Sequence, residues 1–214
     1  MFTIILSAYE ETLSMILISG ILAVLLGLPL GFLLYGSTNK QFCANKLLYY
    51  AFHLPITLIN STPYLLITIF SFPLLKFLVE NNTPNATAAI VPLTIAAIPY
   101  YSLLTFDAIK KLPTELLEIA KTLGASPLQA ILKIYIPEML PTLVNALGKT
   151  LIQLISYSTI AGVFGAGGLG YLLMQKGYYS FELSYVVICT LLLVCTTQLI
   201  QYSSRLIAKQ LVRI

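Results

Sequence analysis

Glu118-Ile119-Ala120-Lys121-Thr122-Leu123-Gly124-Ala125-Ser126-Pro127, followed ten residues after the glycine by Ile134-Tyr135-Ile136-Pro137, is the centre of a polar island at 107–141 between long apolar runs. Pro113 suits a first helical position, and Glu115 and Glu118 complement the positive end of that helix dipole. Gly124 supplies a left-handed stop. Ser126 then reads as the N-cap of a second helix, with Pro127 at its first position and Pro137 marking its end. The expectation is two short helices joined by a tight turn and held at a membrane surface. A membrane protein keeps a structured loop of this length for something soluble to dock on.

The apolar runs fix the class. Of 214 residues, 58% are hydrophobic and 9% charged, against about 25% charged in soluble domains. With a mean hydropathy of +0.89, this is an all-α polytopic membrane protein. Five spans are expected, at about 13–35, 54–79, 86–106, 143–165 and 183–204, within one transmembrane domain covering 1–214. Gly36 and Asn39 close the first span, and Asn81-Asn82-Thr83-Pro84-Asn85 is a turn cluster between the second and third. Residues 1–11 either form a short interfacial helix or extend the first span. Glu10-Glu11 stands where a cleaved signal peptide would be basic.

Five spans put the termini on opposite sides. With the N-terminus outside, the inner segments hold ten cations: Lys40, Lys46, Lys110, Lys111, Lys121, Lys133, Lys149, Arg205, Lys209 and Arg213. Lys76 and Lys176 alone fall outside, which places the island and the C-terminus in the cytoplasm. The modest net charge of +4 reports this topology rather than affinity for nucleic acid. Cys189 and Cys195 lie on opposite azimuths of one helix and Cys43 in the cytoplasm, so no disulfide is expected.

The parts of an enzyme are missing. Gly148-Lys149-Thr150 resembles the tail of a phosphate-binding loop, but Leu143 stands where that loop needs glycine, and Lys149 reads as a snorkelling lysine. His53 is the only histidine, so no histidine-pair metal site forms; it sits at a membrane interface. None of the span cores carries Asp or Glu, which weighs against an ion-coupled carrier. The polar groups at depth are neutral: Asn60, Ser61 and Thr62 in the second span, and Gln153, Ser156, Ser158 and Thr159 in the fourth. They either bond neighbouring helices or line a pathway for a net-neutral zwitterionic solute. Gly162, Gly165, Gly167, Gly168 and Gly170 crowd the outer end of the fourth span, as a packing turn or as a mobile outer gate beside a rim at Lys176-Gly177-Tyr178-Tyr179. Pro55, Pro63 and Pro73, with Pro92 and Pro99, predict kinked second and third spans.

With these residues in place, the chain resembles the inner-membrane permease subunits of bacterial ATP-binding-cassette importers. The island is similar to their coupling motif at Glu118, Ala120, Gly124, Ala125, Ser126, Pro127, Ile134 and Pro137, with Ile119 and Ile136 as conservative departures. Within that family it is most similar to the methionine-uptake permeases, through Gly165-Ala166-Gly167-Gly168-Leu169-Gly170, Ala89-Ile90-Val91-Pro92-Leu93-Thr94 and Leu28-Pro29-Leu30-Gly31. Asn60 stands where related amino-acid permeases often carry Arg, so no role of that Arg transfers. The resemblance implies a homodimer in the bacterial inner membrane. It also implies two cytoplasmic ATPase subunits using ATP and Mg, and a lipid-anchored extracytoplasmic methionine-binding protein. No cofactor binds to this chain itself. The competing readings are a membrane scaffold for a cytosolic partner and an ion-coupled solute carrier.

Overall fold

The computed structural model describes residues 2–38, 45–78, 86–113, 116, 122 and 124–212. The first helix, α1 (Phe2–Thr38), is longer at both ends than the expected span at 13–35. No proline or glycine interrupts it before Gly20, so residues 2–11 extend the span rather than forming a separate interfacial piece.

The second span departs from expectation. Instead of one kinked helix at 54–79, the chain forms α2 (Lys46–Ser61) and α3 (Tyr64–Leu78), which meet at an angle of 105°. Asn45 caps α2, its side-chain oxygen accepting from the Leu47 and Leu48 amides at 3.0 and 3.4 Å. The break has a local cause. Pro63 cannot donate within a helix, and it forces Thr62 into an extended conformation (φ −78°, ψ 129°). By contrast, α4 (Ala86–Lys110) runs through Pro92 and Pro99 as one helix, and Ser102 Oγ donates to the Pro99 carbonyl at 2.8 Å. The turn cluster at 81–85 and Cys43 lie outside the described residues.

The polar loop ends in a second departure. After α5 (Pro127–Ala130) the chain widens into a π-helical turn at Ile131–Tyr135 and continues as α6 (Ile136–Val163). Pro137 does not end the loop helix. The Ile136 amide bonds to the Ile131 carbonyl one residue further back than in an α-helix, and this wider turn lets a proline follow without breaking the run. The result is a continuous helix from Leu128 to Val163. A short helix, α7 (Gly168–Leu172), and a second π-turn (Leu173–Tyr179) lead into α8 (Leu183–Val212).

Packing fixes the direction of each pass. Ser19 Oγ lies 3.4 Å from the Ile90 carbonyl, Gly27 faces 98–102 and Gly31 faces 102–105, so α1 and α4 run parallel. The α2–α3 pair must therefore carry the chain back across, as one bent span. Gly20 faces Leu151 and Leu154 while Gly168 faces Thr12 and Met15, so α6 is antiparallel to α1. Tyr9 and Thr196 share a hydrogen bond at 2.9 Å, and Ile5 and Ala8 pack with Tyr185 and Cys189. Gly148 of α6 faces Ser204 of α8, so α8 again runs with α1. Among the described residues these are five passes, counting the bent pair as one, with the first and last helices starting from the same end and the chain finishing at the other. The centre is a cluster built on Met15, Ala23, Leu93, Ala97 and Leu154, from α1, α4 and α6. Cys189 is buried and Cys195 exposed, both as free thiols.

Candidate functional site

The loop between α4 and α6 is organised by Gly124. Its φ of +65° lies in the left-handed region, and among the described residues a Cβ there would meet nothing within 4 Å. Its identity is therefore set by the backbone and not by crowding. Directly after it, the Ser126 amide donates to Gln129 Oε1 at 2.9 Å, while the Gln129 amide donates to Ser126 Oγ at 3.3 Å. This reciprocal pair satisfies two orphan donors at the helix start. Ala125 and Ile134 are half-buried against a cluster of Phe32, Ala108, Ile109, Ala130, Tyr135, Met139 and Leu143, which ties the loop to α1, α4 and α6. Pro137 is exposed. Glu118 and Ala120, together with Glu115, lie outside the described residues.

Two residues join this set that the sequence reading passed over. Leu128 and Leu132 are 65% and 55% exposed, one helical turn apart, with Gln129 and Lys133 beside them. Ala130, Ile134 and Tyr135 turn inward, so the helix carries an apolar ridge on its outer face. The i, i+4 spacing of the two leucines was the available signal. This segment is continuous with α6 through the π-turn, so the ridge and the bundle share one helix.

The neutral polar residues divide between surfaces. Asn60 and Ser61 are exposed and Thr62 is half-buried at the α2–α3 break, with Thr62 Oγ1 donating to the Leu58 carbonyl at 2.8 Å. Tyr64, the first residue after the break, stacks on Tyr157 of α6 with ring centroids 4.4 Å apart and planes at 11°. That stack brings the break against the stretch carrying Gln153, Ser156, Ser158 and Thr159. Ser156 is exposed, and Gln153 and Thr159 are half-buried. Ser158 is buried and bonds to the Ile155 carbonyl of its own helix, facing packed side chains. His53 stacks on Tyr49 at 4.7 Å. Among the described residues no group of three or more His, Cys, Asp or Glu side chains could hold a metal ion.

At the other end of α6 the glycine cluster makes a tight turn. Gly165, Gly167 and Gly168 have φ of +85°, +79° and +70°. The first amides of α7 are held from α1: Gly168 N–H donates to Glu11 Oε2 at 2.7 Å and Leu169 N–H to Thr12 Oγ1 at 2.8 Å. Gly170 lies on the backbone of Thr159, where a Cβ would stand 2.5 Å from the carbonyl oxygen. Beyond it, Lys176 pairs with Glu182 at 3.4 Å and Tyr178 and Tyr179 are exposed. Sequence reasoning missed Glu11 and Thr12 here. The signal was a carboxylate beside an apolar span, read only as the absence of a basic leader.

A model of the binding-protein-dependent transport system inner membrane component family matches residues 27–213. The chain belongs to that family. It is 36% identical over 198 residues to the probable D-methionine transport system permease protein of Vibrio cholerae, covering 92% of this chain and 88% of that one. The D-methionine transport system permease protein of Escherichia coli K12 is 37% identical over 152 residues, 71% of this chain and 70% of that one. A solved inward-facing structure of the MetNI methionine ABC transporter matches with a TM-score of 0.95 and 34% identity, over 99% of this chain and 97% of that chain. The chain is thus a multi-pass inner-membrane component of that transport family.

Proposed function

We propose that this chain is the permease subunit of an ATP-driven importer for methionine, D- or L-, or a close amino-acid relative. The observation that carries the reading is the near full-length likeness to the MetNI structure, combined with a capped, apolar-ridged loop helix continuous with α6. Two copies of the chain, as one permease domain each, enclose the pathway. Two ATPase subunits grip Gly124 to Pro137 from the cytoplasm, and an extracytoplasmic, lipid-anchored binding protein delivers solute. Asn60, Ser61 and Thr62 with Gln153, Ser156 and Thr159 offer neutral donors and acceptors to a zwitterion. Gly165, Gly167, Gly168 and Gly170 form the outer closure. ATP binding closes the ATPases, the loop helices follow, and the two bundles rock between inward-open and outward-open states. A methionine auxotroph relying on this importer should grow on low methionine only when the chain is present. Equal growth without it would remove methionine from the reading.

The orientation follows from the ten-to-two split of cations, with the N-terminus outside and the loop in the cytoplasm. In a background without native thiols, a cysteine at Asn82 should react with an impermeant reagent added to intact cells. One at Gln129 should stay unlabelled until the membrane is opened. Labelling at Gln129 from outside would reverse the topology.

A further inference from the structure

An open cleft of about 960 Å³ lies between α6 and α8 at the loop end of the bundle. Arg205 and Lys209, one turn apart on α8, line it together with Tyr202 and Gln210 of the same helix and Thr142 and Asn145 of α6. Arg205 and Lys209 are exposed, and among the described residues neither has an ion-pair partner. The four neutral side chains likewise make no side-chain hydrogen bond among the described residues. Pro141, Leu206 and Val212 complete an apolar wall.

Cations in the last turns of a helix complement its dipole, and that alone accounts for single lysines there. It does not account for a concave site in which two unpaired cations share a wall with neutral donors from a second helix. A phosphate group meets both needs: its charge answers Arg205 and Lys209, and its oxygens accept from Asn145, Thr142 and Tyr202. The apolar wall suits the glycerol and first acyl carbons beneath a headgroup, at the depth where the spans leave the membrane. We propose that this cleft binds the headgroup of an anionic phospholipid and so anchors α8 against α6 beside the coupling loop. The proposal rests on the membrane-spanning permease reading only in placing the cleft at a lipid headgroup layer.

The test uses the full-length protein in detergent, titrated with phosphatidylglycerol and followed by native mass spectrometry. The protein should retain phosphatidylglycerol in preference to phosphatidylcholine, and excess inorganic phosphate should not displace it. Arg205→Gln and Lys209→Gln should each weaken retention roughly fivefold and together about thirtyfold. Lys176→Gln, a cation at the opposite end already paired with Glu182, should leave it unchanged. Equal retention by the double variant, or equal binding of phosphatidylcholine, would overturn the proposal. Displacement by inorganic phosphate would make the cleft a free-anion site and overturn the lipid assignment. Both substituted residues are exposed, so thermal unfolding of the lipid-free variants should match the parent. Failure of methionine uptake would reject the transport reading and leave this binding result standing.

Discussion

Gly124→Val should reach the membrane at normal levels yet, under the proposed importer role, lose methionine uptake. At a φ of +65° a β-branched residue costs roughly 1–2 kcal/mol that glycine avoids. Among the described residues a Cβ at 124 meets no atom within 4 Å, so the cost falls on the backbone, and the turn relieves it by changing its angle. The Ser126–Gln129 capping pair and the ridge of Leu128 and Leu132 then point elsewhere. The membrane spans do not depend on that angle, whereas a docking groove on an ATPase does. Co-purification with the ATPase should weaken, and substrate-stimulated ATP hydrolysis should fall together with uptake. Gly124→Asn, which tolerates the left-handed region, should retain most of both. Parent-like assembly and transport by Gly124→Val would contradict the coupling role of this loop.

Gly170→Ala should destabilise the protein by about 1–3 kcal/mol, as overpacking in a tight contact does. The added carbon would stand 2.5, 2.8 and 3.0 Å from the carbonyl oxygen, Cα and carbonyl carbon of Thr159, all of them backbone. No rotamer change relieves that contact, so α7 must lift off α6. Gly177→Ala is the matched control. Its nearest neighbour is a methyl of Val186 at 2.7 Å, which a side-chain adjustment can move. Glu11→Ala should loosen the same turn from its other side, removing the carboxylate that accepts from the Gly168 amide at 2.7 Å. Thermal unfolding in detergent should therefore rank parent and Gly177→Ala above both Glu11→Ala and Gly170→Ala. A Gly170→Ala midpoint equal to that of the parent would mean that the turn is loosely packed and the close approach carries no stability.

The span count and the glycine stop were legible because each depends on local chemistry: runs of apolar residues, and a backbone angle only glycine takes at no cost. The Ser126 cap was legible for the same reason, with Gln129 three residues on completing it. What the sequence hid is what depends on neighbours. Pro63 breaks its helix and turns it through 105°, whereas Pro92, Pro99 and Pro137 lie inside continuous helices. Nothing in a proline itself distinguishes these outcomes. The π-turn before Pro137 and the packing of Pro92 and Pro99 in a buried helix decide them. Glu11 and Thr12 lie 157 residues from the amides they hold, a separation that no helical or turn period reports. Ser158 was indistinguishable from Ser156 until packing buried one and exposed the other.

Sealed vesicles that hold this chain with the ATPase and the binding protein proposed for it should accumulate labelled methionine. Accumulation should require ATP and the binding protein together, and should fail when either is withheld. Uptake driven by an ion gradient in vesicles without the ATPase would contradict the account.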